Sequence, residues 1–147
     1  MSGRLGGLTA IVTGAGSGMG RAIALRFADE GARVLVAGRS IDNVSETAEA
    51  VRARGAEVQA VECDVADERS VLALYDAFDE GLGPDLNVLV NSAGIGSFTS
   101  TEGTDLDTWE RVFAVNSRGV FLMSKHALGR LRPPDASVVN DASGEAR

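Results

Sequence analysis

The chain has 147 residues, 44% apolar and 24% charged, the balance of one globular domain large enough for its own core. Its formal charge of −7 speaks against the basic face that a nucleic-acid partner requires, and no apolar run is long enough to cross a bilayer. Cys63 and His126 are the only residues of their types, so an intrachain disulfide is excluded and metal chemistry is disfavoured. No charged-then-apolar leader opens the sequence, and a cytoplasmic protein is expected.

The first predicted strand, Leu8–Thr13, runs into Thr13-Gly14-Ala15-Gly16-Ser17-Gly18-Met19-Gly20 and then a helix over Gly18–Glu30. A strand, a glycine-rich turn and a helix start together suit a pyrophosphate. The glycines let the backbone turn and the ligand approach without a Cβ, while unpaired first-turn N–H groups face the negative charge. Strands follow at Arg33–Gly38, Glu57–Glu62, Leu86–Asn91 and Ser137–Asp141, with helices at Ile41–Arg54, Glu68–Gly81 and Leu106–Leu131. This alternation is the βαβ pattern of a mainly parallel sheet within one domain, 1–147. Gly31 and Gly55 fall where helices stop, and Asp67 can cap the third helix.

In the last helix Trp109, Val112, Phe113, Asn116, Val120, Met123, Ala127 and Leu131 recur at three- or four-residue intervals and are expected to share one face. Asn116 is the polar member, read from the pattern alone as a core asparagine whose amide must find partners. Tyr75 shares a stripe with Val71, Phe78 and Leu82 and is read as core packing.

The glycines at Gly14, Gly18 and Gly20, spaced TGxxxGxG, together with Asn91-Ser92-Ala93-Gly94 after the fourth strand, resemble the short-chain dehydrogenase/reductase family. The likeness runs from Leu8 to about Ser143. It implies a Rossmann-like, doubly wound α/β sheet of strand order 3-2-1-4-5, here incomplete, and an NAD(P)-dependent oxidoreductase acting on an alcohol or carbonyl substrate. Thr13, Gly14, Gly18 and Gly20 would then shape the pyrophosphate turn, with backbone N–H groups from Ser17 and Met19. Asp64 and Val65, within Cys63-Asp64-Val65, would meet the adenine. The other reading of Asp64 is a helix-start carboxylate, a role Asp67 fits better. Asn91, Ala93 and Gly94 would line the cofactor site. Ser92 stands where the family usually has a second asparagine.

The second strand ends Val36-Ala37-Gly38-Arg39-Ser40, with no carboxylate to accept the ribose hydroxyls. Arg39 can pair with a 2′-phosphate and stack on adenine, which favours NADP over NAD. A solvated arginine is the plainer alternative.

Catalysis in the family rests on an asparagine, a serine, a tyrosine and a lysine. Val115-Asn116-Ser117-Arg118-Gly119 matches the asparagine motif, making Asn116 the proton-relay residue rather than a core amide. Ser143, at the end of Val138-Val139-Asn140-Asp141-Ala142-Ser143, falls at the serine position. A YxxxK motif would follow about a dozen residues later, but the sequence ends four residues on. Tyr75 is followed at the fourth place by Asp79, not lysine. Lys125 and His126 lie nine and ten residues beyond Asn116, too far along a helix for proton transfer at that site.

The expectation is an N-terminal part that holds cofactor without completing turnover; the alternative is a non-catalytic dinucleotide-binding or subunit-interaction module. Asp141 replaces an aliphatic residue of the family. An unpaired buried carboxylate is costly, so Asp141–Arg147 is expected to fray or to be a tail made by a frameshift or early stop. A bare helix face and an open strand edge predict marginal stability and self-association.

Overall fold

The structure, a computed structural model, describes residues 3–142. Five parallel strands, β1 (Thr9–Val12), β2 (Arg33–Gly38), β3 (Val58–Glu62), β4 (Val88–Asn91) and β5 (Ser137–Asn140), stand in the order β3-β2-β1-β4-β5. The helices between them are α1 (Gly18–Asp29), α2 (Ile41–Arg52), α3 (Glu68–Gly81), α4 (Leu106–Phe113) and α5 (Gly119–Ala127). This is the predicted doubly wound, Rossmann-like arrangement, with element ends moved by a few residues at most outside the last helix.

Both faces of the sheet are covered, so its central strands are apolar along their whole length rather than alternating. Period-two geometry still sorts the side chains. Ile11, Leu35 and Leu89 pack with Tyr75, Phe78, Leu122 and Met123 on one face. Ala10, Val12, Val34, Val36, Val88 and Val90 meet the small residues Ala24, Ala28 and Ala48 on the other. The register sets Val12 level with both Val36 and Val90, so the turns leaving β1, β2 and β4 open at the same end of the sheet.

Local chemistry fixes the helix ends. Ser40 Oγ accepts from Asn43 N at 3.3 Å, Asp67 Oδ1 from Arg69 N at 3.1 Å and Asp105 Oδ1 from Thr108 N at 2.8 Å, each covering an orphan first-turn donor. Gly31 and Gly55 take the positive φ values of 88° and 81° that stop α1 and α2.

The predicted continuous helix Leu106–Leu131 is corrected. A π-helical segment, Ala114–Arg118, separates α4 from α5. Its wider turn takes in one extra residue and rotates everything beyond it by about 100°. The predicted single face therefore splits. Val115, Leu122, Met123 and Ala127 are buried, but Trp109 and Phe113 are about half exposed and stack on each other with ring centroids 4.2 Å apart. No residue of α4 is buried.

Tyr75 is fully buried, and its hydroxyl donates to the Met123 carbonyl at 2.6 Å; burial pushes its pKa up. Lys125 and His126 turn to α3, where both donate to Glu68 Oε1 at 3.0 and 2.9 Å. Those two bonds, His126's first, hold the Glu68 carboxyl below its usual pKa. Arg130 grips Asp79 through two bonds of 2.7 and 2.6 Å, the bidentate geometry of a guanidinium on a carboxylate. Among the described helices, none is long and apolar enough to cross a membrane.

Candidate functional site

The glycine-rich turn folds against the ends of β1 and β4. Thr13 Oγ1 accepts from Ser92 N and Ala93 N at 3.2 and 3.1 Å, so one buried hydroxyl fastens the turn to the segment after β4. Gly14 has φ 61°, and a Cβ there would lie 2.6 Å from the Ser92 carbonyl oxygen. A Cβ on Gly20 would overlap the Gly14 carbonyl oxygen. Gly18 differs: its φ is 53°, but the space where a Cβ would stand is empty. Gly14 and Gly20 thus close the turn on itself, while Gly18 keeps its outer side open.

Ser17 precedes α1 in extended conformation, and its side chain does not cap the helix. The first-turn N–H groups of α1 are thus left without a side-chain cap, as an anion site needs. Met19 lies beside them and is largely exposed.

A cleft of about 460 Å³ extends from this turn, lined by Thr13, Gly14, Ser17, Arg39, Val65, Ala93 and Gly94 among others. Its size, its glycine-lined floor and its open helix start fit a nucleotide. Arg39 lies at one end, exposed and, among the described residues, without an ion-pair partner. A smaller adjoining hollow holds Arg39, Glu62, Asp64 and Ser70. Asp64 Oδ1 accepts from Ala66 N at 3.0 Å, so one of its oxygens is used locally. The other faces no hydrogen-bond donor among the described residues. Asp67 caps α3, which leaves Asp64 free of that task.

Asn91 is buried in the sheet. Its Nδ2 donates to Asn140 Oδ1 at 2.9 Å and reaches Ser124 Oγ at 3.4 Å. Asn116 is exposed rather than a core amide. Its Oδ1 accepts from Ile95 N at 2.9 Å and its Nδ2 donates to Ile95 O at 2.7 Å. Both halves of the amide thus hold one residue of the loop after Gly94. Ser143 lies outside the described residues.

The expectation for Asp141 is corrected. Its N–H donates to Asn91 O at 3.1 Å, extending the β4–β5 pairing, and its Oδ2 accepts from Ser92 Oγ at 2.9 Å. The carboxylate is partnered, and the partner is the residue that replaces the family's second asparagine.

Sequence reasoning missed Gly16, Ser40, Asn43, Cys63, Ile95 and Val115, all of which line the cleft. Ser40 carried a usable signal, since a serine just before a helix marks an N-cap at the same strand end as Arg39. Ile95 carried none; the cleft and the Asn116 contacts reveal it. Burial raises the Cys63 pKa, which keeps its thiol protonated and inert.

The model of the family described as short chain dehydrogenase matches residues 8–147. An uncharacterized oxidoreductase of Bacillus subtilis, YxbG, is 36% identical over 99% of this chain and 53% of its own length. The NADP-dependent (R)-specific alcohol dehydrogenase of Lentilactobacillus kefiri is 35% identical over 99% of this chain and 58% of its own. A solved short chain dehydrogenase/reductase from Burkholderia phymatum, in complex with NAD, superposes with a TM-score of 0.88 at 35% identity, covering 95% of this chain and 50% of that one. The chain therefore spans about half the length of the relatives it matches. With a matching turn, strand order and Asn-x-Ala-Gly segment in place, the chain belongs to the short-chain dehydrogenase/reductase family of oxidoreductases.

Proposed function

We propose that this chain carries the cofactor-holding part of an oxidoreductase that moves hydride between NADP(H) and an alcohol or carbonyl substrate. The bound dinucleotide would supply the hydride to a carbonyl or accept it from an alcohol. Thr13, Gly14, Gly18 and Gly20 would form the pyrophosphate turn, with N–H groups from Ser17 and Met19. Asp64 and Val65 would receive the adenine, and Asn91, Ala93 and Gly94 would stabilise the central sheet and line the cofactor site. Asn116 would act in the proton relay and Ser143 would orient the substrate oxygen. The sequence offers no tyrosine–lysine pair at YxxxK spacing, so we expect binding without turnover from this chain alone.

The observation that carries the NADP preference is the unpaired Arg39 at the end of the cleft. Relatives bear names of both kinds, one NADP-dependent and one solved with NAD, so the choice turns on this chain's own residues. Glu62 and Asp64 share the small hollow with Arg39 and would oppose a second phosphate without it. A fluorescence titration should give saturable binding, tighter for NADPH than for NADH. Arg39→Ala should weaken NADPH by about 10- to 100-fold, the worth of a charge-assisted contact, and leave NADH nearly unchanged. Equal affinities for the two cofactors in the wild-type chain would overturn the NADP assignment. Absence of any binding would overturn the cofactor role.

The acidic net charge supports small-molecule partners over nucleic acid. The free, buried Cys63 fits a reducing, cytoplasmic setting. The exposed Trp109–Phe113 stack on α4 supports self-association, because an apolar patch of this kind favours a covering partner. Light scattering should show a dimer or larger species at micromolar concentration, reduced to monomer by Trp109→Glu. A wild-type monomer at about 100 μM would contradict this.

A further inference from the structure

Two contacts bind the loop after β3 to the segment that carries Asn116. Arg118 Nε donates to the Ala66 carbonyl at 3.1 Å. Gly119 comes so close to Val65 that a Cβ there would lie 2.6 Å from Val65 Cγ2. Within that loop Asp64 Oδ1 accepts from Ala66 N, so the residue that Arg118 holds by its carbonyl is the one whose N–H orients the Asp64 carboxylate.

Arg118 is exposed and makes no ion pair among the described residues. Its guanidinium is committed to a neutral carbonyl. It closes the π segment, and the extra residue of that segment sets its direction: in an unbroken α-helix Arg118 would be turned by about 100°. The same widened turn that points Asn116 at Ile95 therefore points Arg118 at the loop of Asp64 and Val65.

We propose that Arg118 is a positioning residue for adenosine recognition. It fixes residues 64–66 so that Asp64 and Val65 present a preformed surface to the adenine. The inference rests on the dinucleotide reading above.

The test compares wild type, Arg118→Ala and Arg118→Lys by titration with NADPH, adenosine 2′,5′-bisphosphate and reduced nicotinamide mononucleotide. Hydrogen exchange is followed over residues 63–68 in the absence of ligand. Arg118→Ala should weaken both adenosine-containing ligands by about 3- to 10-fold, the range of one hydrogen bond. It should leave the mononucleotide unchanged and speed exchange in the loop. Lysine, whose ammonium can reach the same carbonyl, should restore most of the loss. Wild-type adenosine affinity with unchanged exchange in Arg118→Ala would overturn the proposal, as would an equal loss for all three ligands. Failure of the wild-type chain to bind any dinucleotide would instead defeat the cofactor reading, and the exchange measurement would still decide whether Arg118 holds the loop.

Discussion

Gly20→Ala is expected to abolish saturable NADPH binding and to lower the melting temperature by several degrees. The new methyl would overlap the Gly14 carbonyl oxygen, a backbone atom that cannot swing aside as a side chain could. Either α1 must withdraw from the turn or the turn must open, and both remove the N–H groups that face the pyrophosphate. Overpacking of this kind costs about 1–3 kcal/mol, or roughly 2–10 °C in a chain of this size. The loss of binding should be far larger than the loss of stability, because the ligand needs the turn's geometry and not merely its survival. Gly18→Ala is the contrasting variant. Its Cβ meets nothing, so it bears only the strain of a positive φ, about 1 kcal/mol. A titration and a thermal melt of both variants check this, and wild-type affinity in Gly20→Ala would refute it.

Gly119→Ala should come next in severity. Its Cβ would stand 2.6 Å from Val65 Cγ2 and 3.1 Å from Val65 Cβ, and Val65 is itself buried. The loop bearing Asp64 must shift, so adenosine affinity and stability should fall together, the latter by about 1–3 kcal/mol. Val65→Ala in the same chain removes the nearer obstacle and should recover part of both losses. Strictly additive losses in the double variant would show that the two residues do not press on each other.

The glycine-rich turn, the strand order and most element boundaries were legible because each rests on local chemistry. Apolar runs mark buried parallel strands, Asp67 caps a helix, and Gly31 and Gly55 stop two others. The split of the last helix was not legible. A π turn has no sequence signature, and the spacing of Trp109, Phe113, Asn116 and Met123 fits an unbroken α-helix well. The error lay in assuming a constant phase across Asn116. The state of Asp141 was hidden for a different reason: its partner, Ser92, lies 49 residues away and meets it only once β4 and β5 pair in register. Arg39 was read from the missing acid at its strand end, whereas Asn43, in the first turn of α2, became visible only when the cleft had a shape.

The Ser92–Asp141 bond also acts as a clasp between parts of the sheet that do not touch. Ser92 N donates to Thr13 Oγ1 and Ser92 Oγ to Asp141 Oδ2, so one residue joins the turn after β1 to the chain that leaves β5. In the strand order β4 lies between those two. A displacement of β5 is thereby transmitted to Thr13, and so to the glycine-rich turn, without any pairing between β1 and β5.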